Sequence, residues 1–226
     1  MNFLLDNFSA KQSGRTILII IFSIAAFSFG ILIYFFANTE NRLANLDNLK
    51  HATALYSSSR TFPNFELTDQ NNKLFTNKDL SNAWNFIFFG FTHCPDVCPL
   101  TLSTIDKVLN NLSANKELST KGVFISVDPK RDTTEKLNSY VKHFNQDMVG
   151  LTGSDEQLSK LTQSLGVVYT TPNENQDDNY LIDHSAHIFL VSPDGKLAAI
   201  FSTPHEANTI TEDFIVLNAY YAQHGS

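Results

Sequence analysis

Cys94 and Cys98 are the only cysteines in the 226 residues, and they stand four apart in the run Phe88-Phe89-Gly90-Phe91-Thr92-His93-Cys94-Pro95-Asp96-Val97-Cys98-Pro99. An apolar, strand-like stretch, Trp84 to Phe91, leads into the pair, and a helix-like stretch, Leu100 to Leu112, leads out. Two thiols therefore sit where a strand becomes a helix. A helix N-terminus carries partial positive charge and unpaired N–H groups. Both favour a thiolate over a thiol. If the helix begins near Pro95, the i, i+4 spacing puts both sulfurs on one face. Two such thiolates can hold one soft metal ion or close a disulfide. The plain alternative is a pair of inert core cysteines, since Cys is among the most buried residue types. Isolated core cysteines seldom fall together at a Pro-flanked junction.

The elements around the pair predict an α/β domain. Phe62–Gln70 and Lys73–Thr76 read as short strands joined by an Asn71-Asn72 turn. Gly122–Val127 is a short, nearly continuous apolar strand of the kind found inside a sheet. Thr133 or Thr134 caps a helix reaching about Phe144, and Ser154 caps another over Asp155–Leu165. Met148–Leu151 reads as a further strand. Ile182–Val191 and Lys196–Phe201 flank Pro193-Asp194-Gly195, a hairpin signal, and Glu206–Ala222 closes the chain as an amphipathic helix. Alternating strands and helices, then a hairpin and a helix, predict a mixed sheet in a thioredoxin-like arrangement. Thr171–Asn179 is acidic and Asn-rich and reads as a loop, either solvated or a partner surface.

Length and composition allow one domain plus an appendage. Apolar residues make up 42% and Phe numbers 19, enough for a real core. The net charge of −7 and the lack of a Lys/Arg run exclude a nucleic-acid footprint. Two cysteines do not make a disulfide scaffold, so they read as a site.

Ahead of the domain, Thr16 to Phe36 is an apolar run without a charge. As a helix it would be about 31 Å long, matching a hydrocarbon core of about 30 Å. A cleaved signal peptide has a shorter apolar region and a small-residue cleavage site, and Phe35-Phe36-Ala37-Asn38 is a poor one. The expected organisation is a cytoplasmic leader (1–15), one transmembrane anchor (16–36), a spacer (37–60) and a thioredoxin-like domain (61–226). Flanking positive charges are tied, with Lys11 and Arg15 before the span and Arg42 and Lys50 after it. Orientation then rests on the short leader staying inside while the large acidic part is exported.

Taken together, these residues resemble the Sco/SenC copper chaperones, membrane-anchored thioredoxin-fold proteins that help assemble cytochrome c oxidase. Gly90 to Pro99 looks like the family's signature, with C-x-x-x-C-P where ordinary thioredoxin oxidoreductases carry C-x-x-C. Phe65–Gln70, Ser126–Thr133, and Asp183-His184 with Ser192–Gly195 resemble its other blocks. The resemblance covers about Phe62 to Ala222. It implies a copper site of Cys94, Cys98 and His184, loaded with Cu(I) or Cu(II). The chemistry agrees, because soft thiolates select Cu(I) and an added imidazole also suits Cu(II). Zn(II) usually takes a fourth ligand.

Seven histidines compete for the third place. His93 adjoins Cys94, but at a strand end its ring should point away from the sulfur. His187 lies three residues from His184, so in a strand the two would face opposite sides. His205 reads as a helix-start residue, and His51, His143 and His224 as surface residues. Asp183 and Asp128 could orient a ligating imidazole or be ordinary loop acids. Asp96 could tune the thiols or satisfy a helix N–H.

The resemblance implies a metallochaperone that delivers copper to the binuclear copper site of an oxidase subunit. The alternatives are a thiol-disulfide reductase using Cys94 as nucleophile and Cys98 as resolving thiol, or a redox or copper sensor. The absence of an Arg/Ser-rich transit peptide points to a bacterial inner membrane, with the domain in the periplasm.

Overall fold

The computed structural model describes residues 19–34, 45–55, 61–115, 118–169, 180–182 and 185–224. The chain divides into two units, Met1–Asn45 with Asn218–Ser226, and Leu46–Leu217. In the first, residues 19–34 form a helix, α1, with exposed apolar side chains such as Phe22 and Phe27. The ends of the expected span, 16–18 and 35–36, lie outside the described residues, as does the 1–15 leader. Among the described residues no helix is long and apolar enough to cross a membrane.

The second unit is built on one eight-stranded sheet with the order β1-β8-β7-β4-β5-β6-β2-β3. Its strands are β1 (Ala52–Ala54), β2 (Glu66–Asp69), β3 (Leu74–Thr76), β4 (Trp84–Gly90), β5 (Thr120–Ser126), β6 (Val149–Thr152), β7 (Ile188–Val191) and β8 (Leu197–Phe201). The pairs β4–β5 and β5–β6 are parallel and the other ladders antiparallel. The expected mixed α/β sheet is therefore present. β4 lies at the centre and all seven of its residues are buried, as a strand covered on both faces requires.

Helices α2 (Val97–Leu112), α3 (Thr134–Phe144), α4 (Asp155–Leu165) and α5 (Ala207–His224) complete the fold. Three of them cover one face of the sheet. Phe214 of α5 meets Trp84 and Phe86 with ring centroids 5.4 and 5.5 Å apart. Ile105 and Leu109 of α2 close over Gly122, and Leu137 and Val141 of α3 over Gly150. The caps fall where the sequence puts them. Thr133 accepts from the Lys136 N–H, Ser154 from the Gln157 N–H, and Gly166 ends α4 in the left-handed region at φ 72°. Gly195 turns the β7–β8 hairpin at φ 77°, a conformation that a Cβ disfavours.

Two expectations need correction. The hairpin's first strand begins at Ile188, not Ile182; Asp183 and His184 lie outside the described residues, and Ser185 to His187 are not in the ladder. The stretch read as spacer is partly inside the fold. Ala52–Ala54 pairs with Ala199–Phe201 as an edge strand, and Leu46–Asn48 forms a 3-10 turn. Buried Asp213 of α5 holds this segment. It accepts from the backbone N–H groups of Lys50, His51 and Ala52 at 2.7, 2.8 and 2.7 Å. Lys50 Nζ adds an ion pair to Glu212.

Candidate metal centre

β4 delivers the chain to the site. Its last residue, Gly90, accepts the Val127 N–H at 2.9 Å, and the turn then closes through Cys94 N–H to Phe91 O at 3.2 Å. The helix begins at Val97, with Asp96 in the N-cap position but making no side-chain cap bond. Pro99 falls in the first turn, where its missing N–H costs nothing. The helix therefore starts two residues later than Pro95, and only Cys98 lies on it. The cysteines are paired differently from one helical face: Cys94 sits ahead of the helix, and the Cys98 N–H donates to its Sγ at 3.4 Å. That N–H is one of the unpaired donors of the helix end.

The two sulfurs are unequal. Cys94 is half-buried and Cys98 fully buried. Hydrogen bonding to Cys94, and then burial, push the Cys98 thiol well above the ordinary cysteine range. The close fit depends on Gly90. A Cβ there would lie 2.7 Å from Cys98 Sγ and 3.0 Å from the Phe124 ring.

Beside the turn lies a buried polar cluster that the sequence reading did not assemble. Asp132, wholly buried, accepts from Thr92 N–H at 2.9 Å, Thr92 Oγ1 at 2.5 Å and Ser126 Oγ at 2.5 Å. It ties β4's exit to the end of β5. Asp128 accepts from Arg131 Nε at 2.5 Å and from Tyr180 OH at 2.6 Å. Arg131 stacks on the Tyr180 ring at 3.5 Å and donates to Tyr180 O at 3.0 Å. Burial and the bond to Asp128 push the Tyr180 phenol up to about 12. Ligand atoms of His93, Asp128 and Asp132 lie within 4.8 Å of one another. The carboxylate oxygens there are already bonded, so the cluster reads as a clamp. Asp128 acts inside this clamp. An acid and a base soon after a nearly all-apolar strand, Asp128 and Arg131 after Gly122–Val127, were the available sequence signal.

His184 and Asp183 lie outside the described residues; their flanks do not. Tyr180 is held by Asp128 and Arg131, and Ile182 is buried. On the other side, the Ser185 N–H donates to Val168 O at 3.0 Å. β7 starts opposite Phe88, so the segment entering it arrives at the end of the sheet where β4 releases the cysteine turn. The remaining histidines are accounted for elsewhere. His93 is exposed, with Nδ1 3.1 Å from Thr92 Oγ1 and 3.7 Å from Asp132. His187 packs against Phe189. His205 donates from Nε2 to Ala186 O at 2.6 Å, and burial, then neighbouring His51 and His187, push its pKa down. His51 is half-buried, not a surface residue, and donates to Ser202 O at 2.9 Å. His143 lies against Phe144 and His224 against Tyr220. A groove of about 700 Å³ runs from Thr92 and His93 to Lys136, Ser139, Tyr140 and His143.

Comparison with known proteins gives the same answer by three routes. The SCO1/SenC family model matches residues 53–217. A mitochondrial SCO1 homolog 1 of Arabidopsis thaliana is 36% identical over 151 residues, which is 67% of this chain and 45% of that protein. The chain thus spans less than half of that relative's length. An SCO2-like protein of Rickettsia prowazekii is 40% identical over 151 residues, covering 66% of this chain and 73% of that one. Among solved structures, Arabidopsis thaliana ScoI with copper bound superposes with TM-score 0.67 at 34% identity, covering 71% of this chain and 99% of that one.

Proposed function

The chain belongs to the SCO1/SenC family, and from that premise we propose that it is a copper metallochaperone for cytochrome c oxidase. Cys94, Cys98 and His184 take Cu(I) or Cu(II) and pass it to the binuclear copper site of the oxidase's copper-bearing subunit during assembly. The observation that carries the reading is the sulfur pair itself. Cys94 is half-buried, on a turn, and accepts a helix N–H; Cys98 lies buried behind it. Copper uptake releases the thiol protons, and the two sulfurs are already side by side. Release follows by ligand exchange, beginning at the accessible Cys94. Residues 16–36 anchor the chain in a bacterial inner membrane with the domain in the periplasm. The 36% and 40% identical relatives support the family, and the copper-bound neighbour supports the copper reading.

The same asymmetry favours a second reading, thiol-disulfide exchange. A half-buried sulfur ahead of a helix and a buried partner thiol are the order needed for a nucleophile and a resolving cysteine. The substrate would be the disulfide form of the oxidase's copper-binding cysteines. The two readings separate at His184, which a dithiol mechanism does not require. In cells lacking the protein, full-length His184→Ala is expected to leave oxidase assembly unrestored. Full rescue would assign the function to the thiols.

A further inference from the structure

Arg131 touches both segments that bear the proposed ligands. Its guanidinium stacks on the Tyr180 ring at 3.5 Å and stands 5.8 Å from the centre of the Phe91 ring, both within cation–π range. Phe91 opens the cysteine turn, since its carbonyl accepts the Cys94 N–H at 3.2 Å. Tyr180 stands four residues ahead of His184 in the chain. Arg131 Nη1 donates to Tyr180 O at 3.0 Å, and Nε donates to Asp128 at 2.5 Å. Asp128 in turn accepts from the Tyr180 hydroxyl at 2.6 Å. The ring, carbonyl and hydroxyl of Tyr180 are thus held by Arg131, directly or through Asp128. The Arg131 side chain is only 10% exposed, so solvent and salt weaken these contacts little.

Beyond His184 the chain is held by the Ser185 N–H on Val168 O and by Ile188 opposite Phe88. Ahead of Tyr180, residues 171–179 include no large apolar side chain. Among the described residues, the hold on the N-terminal side of His184 is therefore Tyr180, with buried Ile182. An extended chain spans at most about 3.6 Å per residue, so a fixed Tyr180 keeps His184 within about 14 Å of it.

We propose that Arg131 is a positioning residue for the metal centre, tying the His184 segment to the cysteine turn and so setting how well the site keeps Cu(II) relative to Cu(I). This rests on the copper reading above, in which His184 is the third ligand. Two soft thiolates suit Cu(I) unaided, whereas Cu(II) draws on the imidazole. A segment ordered before the metal arrives loses less entropy on binding. The guanidinium fits this task because its planar fork bonds a carboxylate and a carbonyl while its face stacks on a ring. A lysine keeps the charge beside Asp128 but has neither fork nor plane. The cysteine turn has its own hold, Asp132 on Thr92 and Ser126. Loss of the Arg131 contacts therefore falls on the histidine side.

The test compares full-length, detergent-solubilised wild type with Arg131→Lys. Cu(II) affinity is expected to fall at least about tenfold, the usual cost of losing a group that orients a metal ligand. Cu(I) affinity, measured against a chelator, is expected to stay within about twofold. The nitrogen coupling that an imidazole ligand gives to the Cu(II) paramagnetic resonance spectrum is expected to weaken. The dithiol–disulfide equilibrium of the copper-free protein against glutathione is expected to stay within about twofold of wild type. In a His184→Ala background, Arg131→Lys is expected to change Cu(II) affinity by less than about twofold, because its effect runs through the histidine. Tyr180→Phe keeps the ring stack and loses the hydroxyl bond; it is expected to shift Cu(II) affinity the same way by a smaller factor, and it decides the matter if Arg131→Lys does not fold. An unchanged Cu(II)-to-Cu(I) ratio in a folded variant, or equal losses for both ions, would overturn the proposal and leave the copper reading standing. So would an Arg131→Lys effect undiminished in His184→Ala, or a glutathione shift as large as the Cu(II) shift. Wild type that takes up no copper would overturn both.

Discussion

At the residue scale, the two cysteines differ chemically because the fold treats them differently. Cys94 is half-buried and accepts a backbone N–H; Cys98 is buried, and hydrogen bonding to Cys94 and burial push its thiol well above the ordinary cysteine range. Thiolates, not thiols, are the nucleophiles. Alkylation of the reduced protein at neutral pH is therefore expected to modify Cys94 at least about tenfold faster than Cys98, read by mass spectrometry of the labelled peptides. Equal rates would contradict the assigned asymmetry. The spacing of the cysteines was legible because both lie in one short run. The Asp132 and Asp128 clamp was not, because it joins residues 40 and 52 positions apart, Thr92 to Asp132 and Asp128 to Tyr180.

At the level of elements, strong local signals survived and weak ones did not. β4, the capped helices α3 and α4, and the Pro193-Asp194-Gly195 hairpin each carry their own instruction and appear as expected. β1 is three residues in a polar stretch, and its partners β8 and Asp213 are about 150 residues away. Nothing local marks it. The start of α2 was misplaced because the sequence offers two prolines, and Pro99 is tolerated inside the first turn. Asp213 is the single side chain most responsible for β1. Removing it leaves three backbone N–H groups without their acceptor. Asp213→Ala is expected to lower the unfolding free energy by about 3–5 kcal/mol, measured by urea denaturation of the copper-free protein. A loss below about 0.5 kcal/mol, the size of an ordinary surface change, would show that the 46–55 segment is not held as described.

For the whole molecule, the mixed sheet serves to bring distant segments to one end. β4 releases the cysteine turn there, β5 ends there in the clamp, and β7 begins there after the His184 segment. The fold class was legible from the alternation of elements, and the cysteine pair from its motif. The histidine came from the family resemblance, and it is the proposed ligand on which the choice between the copper and thiol readings turns. The most direct test is copper stoichiometry of the full-length reduced protein, with Cys94→Ser/Cys98→Ser and His184→Ala alongside. One copper per chain is expected for wild type and none for the double variant. His184→Ala is expected to lose Cu(II) affinity by more than Cu(I) affinity, since the two soft thiolates alone still suit Cu(I). Equal copper retention by the double cysteine variant would contradict the account.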